Sequence, residues 1–263
     1  MKKTVFLIGG LGNNLFQLAH GNALKEAGYE VEYNTYLRES NKITALLGWS
    51  IHPSHEVYEL LAGEKKSKDL KLSGILFLVY AFFLKFLKMT DFQIDCPRRK
   101  ILGYEIGYWQ RNNTLSDKYL TKIKKVLISD NRPVSKVVLH VRRGDFSSGE
   151  ILPFDYYRAA FKASCQNEFI VVTEDLESYH GLQSEFSSEG YVFHLPEESS
   201  LNKDFNLMAN ADTLIMSNST FCYWASQVGE VKNVIHPSTL SRHKSWFFKL
   251  VNNNAQQIEV TYE

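Results

Sequence analysis

The stretch VVLHVRRGDF, Val137 to Phe146, sets a histidine, two adjacent arginines and an aspartate against a run of branched apolar residues. Its apolar part, Val137 to Val141, has the composition of a buried strand. A guanidinium at the end of such a strand is costly to desolvate unless it meets an anion. Arg142 and Arg143 therefore suit either an anionic ligand or a structural ion pair with Asp145 or another carboxylate. Two other clusters have related chemistry. Near the start, GGLGNN places Gly10, Gly12, Asn13 and Asn14 ahead of a helical pattern, which exposes backbone N–H groups at a helix start. In the last third, SNSTF places Ser217, Asn218, Ser219 and Thr220 where a helix should begin, and hydroxyls with unpaired helix N–H groups attract anions. Taken singly, the first is also a tight β-α turn and the second a capped helix.

The elements around these clusters decide whether they meet. Lys3 to Ile8 reads as a strand, LFQLAHGNALKEAG as a helix stopped by Gly28, and YEVEYN as a second strand, giving a β-α-β opening. Residues 34–68 read as helices and loops, 98–110 as a strand and loop, and SDKYLTKIKKVL as a helix with Ser116 at its N-cap. From Val137 the alternation is regular: strands at 137–141, 169–173, 191–194, 213–216 and 232–235, with helical patterns near 155–164, 176–185, 202–211 and 220–228. That is the pattern of crossovers in a parallel sheet. Ligands of open parallel sheets bind beyond the carboxyl ends of the strands. The rule selects the loops Gly9–Asn14, Arg142–Phe146, Glu174–Asp175 and Ser217–Phe221.

Bulk composition narrows the classes. The 263 residues carry 30 Lys and Arg against 29 Asp and Glu, a formal charge of +1, so no global field grips nucleic acid. Cys96, Cys165 and Cys222 form no C-x-x-C pair, which suggests neither a disulfide framework nor a thiolate zinc site. The glycine loop offers Gly10-x-Gly12 and then Leu15 where a dinucleotide fingerprint needs its third glycine, so a nicotinamide enzyme is disfavoured. No D-x-D pair occurs, and His52 with His55 is the one close histidine pair, so a dedicated metal site is not expected. MKKTVFLIGG has too short an apolar run for a leader, and Asn112 and Asn218 carry little weight as glycosylation sites without one. GILFLVYAFFLKFL, within 74–88, falls short of the ~20 residues that span a bilayer. Lys65, Lys66, Lys68, Lys71, Lys85 and Lys88 flank it, which suits a helix lying on an anionic membrane as well as it suits a core helix with solvated ends.

In order and spacing, GGLGNNLFQLA, HVRRGDF and DFNLMANADTLIMSNSTFCYWAS resemble the signature regions of the α-1,2-fucosyltransferases of glycosyltransferase family 11, and more distantly the α-1,6- and protein O-fucosyltransferases. The resemblance implies an α/β chain of GT-B type, two Rossmann-like domains facing a central cleft, here 1–125 on the acceptor side and 126–263 on the donor side. It implies transfer of L-fucose from GDP-fucose, with inversion and no obligatory metal or other cofactor, to an oligosaccharide or lipid-linked glycan. The expected product is a galactose fucosylated at O-2, in surface polysaccharide or O-antigen synthesis. Carried over by position, Arg142 holds the β-phosphate, Arg143 and Asp145 support its loop, and His140 lies beside the guanosine. Ser219, Thr220 and Phe221, with Asn218, flank the diphosphate and base; Asn13, with Gly10, Gly12 and Asn14, approaches from the other domain. Glu174 and Asp175 stand where the family has an acidic pair. Asn14 in place of the family's Gln, and CYWA in place of SWWA, are departures. Glu39, Asp145 and Glu174 are candidates for general base, and Tyr108 and Trp109 either stack on a sugar or belong to the core. The expected location is cytoplasmic, peripheral at the inner membrane face through 74–88. A transferase of another GDP-sugar and a noncatalytic glycan-binding protein are the alternatives.

Overall fold

The computed structural model describes residues 1–39, 54–69, 71–86, 100–101, 103–110, 115–129, 134–144, 150–250 and 254–262. The chain forms two compact units, Met1–Lys122 and Ile123–Glu263.

In the first unit β1 (Lys2–Phe6) leads through a turn at Gly9 into α1 (Leu11–Glu26) and then β2 (Glu30–Asn34). Gly9 sits at φ +75°, in the left-handed region, and a Cβ there would come within 2.8 Å of the Asn13 side chain. The helix starts four residues earlier than its apolar periodicity suggests, so Gly12, Asn13 and Asn14 are helical and the glycine loop shrinks to Gly9 and Gly10. First-turn N–H groups have no intrahelical acceptor in any helix, so weak formers are tolerated there. After α2 (Tyr36–Glu39) and α3 (His55–Leu60) comes β3 (Lys65–Ser67), a strand in a region read as helices and loops. It is an edge strand parallel to β2, and its KKS sequence has no apolar alternation because an edge is kept charged. Next come α4 (Leu72–Phe86) and the antiparallel pair β4 (Lys100–Ile101) and β5 (Tyr104–Glu105). The sheet order is β3-β2-β1-β5-β4, with β5 parallel to β1. Phe77 of α4 stacks on Phe6 and Tyr104 at 5.9 and 5.5 Å, fixing one face of this helix to the sheet. Then α5 (Asp117–Leu127) leads into the second unit.

That unit runs β6 (Val134–His140), α6 (Phe154–Ser164), β7 (Glu168–Val172), α7 (Leu176–Phe186), β8 (Val192–His194), α8 (Leu201–Ala209), β9 (Ala211–Ile215), α9 (Thr220–Val228) and β10 (Asn233–Pro237). A short hairpin, β11 (Thr239–Ser241) and β12 (Lys244–Ser245), precedes β13 (Ala255–Ile258). The sheet has six strands in the order β13-β10-β9-β6-β7-β8, and every pairing is parallel. This is the doubly wound order, with its reversal between β6 and β9. The α/β class with two Rossmann-like units is thus what the chain adopts. One side of the second sheet carries an aromatic core in which Phe161 meets Phe169, Phe186 and Phe193 at 4.4, 5.2 and 5.6 Å.

Candidate functional site

At the reversal point of the second sheet the carboxyl ends of β6, β7 and β9 surround one pocket. It is lined by His140, Val141, Arg142, Arg143 and Gly144 after β6, by Thr173, Glu174 and Asp175 after β7, and by Ser219 and Phe221 after β9. The parallel register explains the meeting: Leu139 lies opposite Val171 and Ile215, so the three strands end level and release their next residues on one rim.

Each side chain there has a specific support. His140 is buried and its Nδ1 lies 2.7 Å from Ser217 Oγ. Burial, and secondly the Arg142 charge, push its pKa down to about 3, so the ring is neutral at physiological pH. Its ring lies 6.1 Å from that of Phe221. Arg142 donates from Nη1 to Ser219 Oγ at 3.2 Å. The same oxygen accepts the Phe221 N–H at 3.2 Å, which makes Ser219 the N-cap of α9. Ser219 Oγ thus accepts twice, and its proton remains to donate. Arg143 is held differently, donating to the Leu152 carbonyl at 3.1 Å with its guanidinium 4.5 Å from the centre of the Phe154 ring. Asp175 caps α7, accepting from the Glu177 and Ser178 N–H groups and from Ser178 Oγ at 2.6 Å. The Ser178 hydroxyl is the main reason its carboxyl stays below the usual aspartate range. Glu174 is exposed at the rim. The net arrangement is a cation, a hydroxyl and a helix N-terminus aimed at one spot, which can bind and stabilise an anion.

Other residues named from the sequence lie elsewhere. Asn218 is buried and staples two loops, donating to the Glu150 and Leu240 carbonyls at 2.6 and 2.8 Å, and it does not line the pocket. Thr220 begins α9 and is likewise absent from the lining. In the first unit Asn14 is fully buried, donating to the Ile8 carbonyl and to Gln17, so it secures the Gly9 turn and presents nothing to a ligand. Asn13 is half-buried and accepts from Gln110 Nε2 at 2.8 Å, and Gly10 and Gly12 flank it on the same turn. Trp109 is buried and stacks on His20 at 4.2 Å, which makes it core. Asp145, Cys96, His52 and Asn112, and the side chain of Glu39, lie outside the described residues. Among the described residues no cluster of three His, Cys, Asp or Glu side chains is placed to hold a metal ion.

Sequence reasoning missed Val141 and Thr173 in the lining, while Gly144 fell within the selected Arg142–Phe146 loop without a role of its own. Thr173 had a signal, the last position before the acidic pair at a strand's end. For Gly144 the reason is visible only in the structure: a Cβ there would come 3.2 Å from Asp175, so its lack of a side chain lets the arginine loop close on α7. Also missed was a buried charge cluster in the first unit, Glu105 with His20 at 2.6 Å and Lys3 at 2.8 Å.

Comparison with known proteins adds four findings. The profile of Glycosyl transferase family 11 matches residues 82–247. An alpha-1,2-colitosyltransferase of Escherichia coli is 24% identical over 254 residues, 84% of this chain and 85% of the relative. Among solved structures, a glycosyl transferase family 9 protein of Veillonella parvula gives a TM-score of 0.49 at 10% identity, over 98% of this chain and 85% of that one. The Escherichia coli heptosyltransferase WaaC with ADP gives 0.48 at 9% identity, over 98% and 93%.

Proposed function

The chain belongs to glycosyl transferase family 11, and from that premise we propose that it transfers L-fucose from GDP-fucose, with inversion, to O-2 of a galactose in an oligosaccharide or lipid-linked glycan. Surface polysaccharide such as O-antigen is the destination this reading assigns. The observation that carries it is the Arg142–Ser219 hydrogen bond, 3.2 Å long, at the N-terminus of α9 and the rim of β6. In inverting transfer the acceptor oxygen forms a bond to the anomeric carbon as the bond from that carbon to the β-phosphate oxygen breaks. Negative charge then grows on the diphosphate, and GDP departs with the electron pair. Arg142, the Ser219 hydroxyl and the α9 N–H groups meet that charge, and stabilisation that strengthens as charge develops lowers the barrier. These groups neutralise the leaving diphosphate without requiring a metal. The acceptor hydroxyl gives its proton to a base, and Glu174 at the pocket rim is the carboxylate to test first.

A second reading has its own observation, the similarity to an alpha-1,2-colitosyltransferase. Colitose is fucose without its 3-hydroxyl, so donor choice turns on whether the site hydrogen-bonds that group. A site built to bond it rejects the deoxy sugar by about 10⁴-fold or more. Transfer assays with GDP-fucose and GDP-colitose in chelator, with NMR of the product linkage, decide between them. Arg142→Ala is expected to lower kcat by about 10²- to 10³-fold, and Arg142→Lys, which keeps the charge but not the planar fork, to fall between. Normal turnover by Arg142→Ala would sink the mechanism. Absence of transfer from any GDP-sugar, with GDP binding intact, would favour a glycan-binding protein.

A further inference from the structure

One feature of the first unit takes no part in this chemistry. Helix α4 turns Leu72, Ile75, Leu76, Val79, Tyr80 and Phe83 outward, between 37% and 72% exposed, while Phe77 and Leu78 are buried against the sheet. The exposed positions recur at three- and four-residue intervals, so they form one continuous apolar stripe along the helix. Contiguous apolar surface of this kind marks an interaction site. Stacking of Phe77 on Phe6 and Tyr104 prevents the helix from rolling to hide it.

We propose that this face docks on an anionic lipid bilayer, with α4 lying in the plane of the interface. Charge singles out that occupant. Between Lys65 and Lys71 the chain carries four lysines and one aspartate, all exposed, and although Lys65 pairs with Glu30 the stretch stays net positive in a molecule whose whole formal charge is +1. This local positive surface leads directly into the apolar stripe. Lys66 and Lys71 make no ion pair among the described residues, so both remain available to lipid phosphate. Lysines beside an apolar face attract the anionic leaflet while the face enters the acyl boundary. Tyr80, with an apolar ring and a polar tip, suits the interfacial depth. Over its 15 described residues α4 extends about 22 Å, against a hydrocarbon core of about 30 Å. Among the described residues no helix is long and apolar enough to span.

The test is cosedimentation of the full chain with phosphatidylcholine vesicles, with and without phosphatidylglycerol. The protein is expected to bind the phosphatidylglycerol vesicles and to lose binding as salt rises. Lys66→Gln with Lys71→Gln should weaken binding about 25-fold, taking about fivefold per lysine. Leu76→Ser, Val79→Ser and Phe83→Ser together should weaken it by about a hundredfold or more. These positions are exposed, so thermal unfolding should match the parent in both variants; if the triple variant misfolds, the lysine pair and the salt series still decide. Equal binding to both vesicle types, or unaltered binding by the lysine variant, would overturn the proposal. So would light scattering showing a dimer that the serine substitutions dissociate, because the face would then belong to a second copy.

Discussion

His140 sits two residues before the arginine that the proposed mechanism relies on, yet its ring is buried and tied to Ser217. With its pKa near 3 it is neutral, so it contributes a fixed dipole and shape to the pocket rather than a second cation. Keeping it neutral has a cost in acid. The unfolded chain protonates this histidine near its ordinary value of 6.5, whereas the folded chain does so only near 3. Its contribution to stability is therefore intact above about pH 6.5 and lost progressively as pH falls, by up to about 1.4 kcal/mol per unit. His140→Gln cannot take up that proton. Urea unfolding at pH 7, 6 and 5 should show the parent losing stability faster than the variant, and parallel losses would mean the ring is already charged in the fold. Much of this residue's environment was hidden in the sequence. The H-x-R-R run announced a cationic strand end, but the partner of the histidine, Ser217, stands 77 positions later and only the β6–β9 pairing brings it close. Asn14 shows the opposite error. Its neighbourhood to Asn13 suggested a ligand contact, but helical geometry turns it inward to close the Gly9 turn.

Elements were legible in proportion to their burial. The strands of the second unit, enclosed between helices, read as apolar runs with helical patterns between them, and the structure keeps all five within a few residues of their expected bounds. Two edge strands escaped: β3 is KKS and β13 is AQQI, both half in water and so without an apolar signature, whereas the edge strand β8, VFH, was read. The close approach of the α8 and α9 ends was equally invisible. Gly229 ends α9 with an ordinary extended φ of −81°, so its conformation demands no glycine. Its surroundings do, because a Cβ would lie 2.2 Å from the Ala209 carbonyl oxygen and 2.6 Å from the Ala209 Cα, at the end of α8. Backbone cannot swing aside as a side chain can, so Gly229→Ala should destabilise the second unit by about 2–3 kcal/mol. Gly190 is the contrast, with φ +87° and open space around its Cα. Gly190→Ala meets only backbone strain and should cost about 1 kcal/mol. Chemical denaturation of both variants tests the ranking, and a smaller loss at Gly229 would show that α8 and α9 can separate without penalty.

At the scale of the molecule, the composition pointed to local anion binding rather than a global field, and the structure shows how a chain of charge +1 can arrange it. The first unit uses its buried charges internally: burial raises the Glu105 carboxyl, and hydrogen bonds from His20 and Lys3 outweigh that and hold it ionised below the ordinary value. The second unit leaves Arg142, Glu174 and the start of α9 at the rim of its sheet, where solvent and ligand reach them. All the lining residues of that pocket come from Ile123–Glu263. If GDP occupies the pocket, its binding free energy acts first on the strand ends that hold it, worth about 2.7 kcal/mol at a hundredfold excess over Kd. Hydrogen exchange with and without GDP should therefore show protection concentrated at residues 138–144, 173–178 and 217–222. Amides of β1 and α1 should exchange at their original rates. Protection that is strongest around Gly9, or spread evenly over both units, would place the nucleotide elsewhere and remove Arg142 from the reaction.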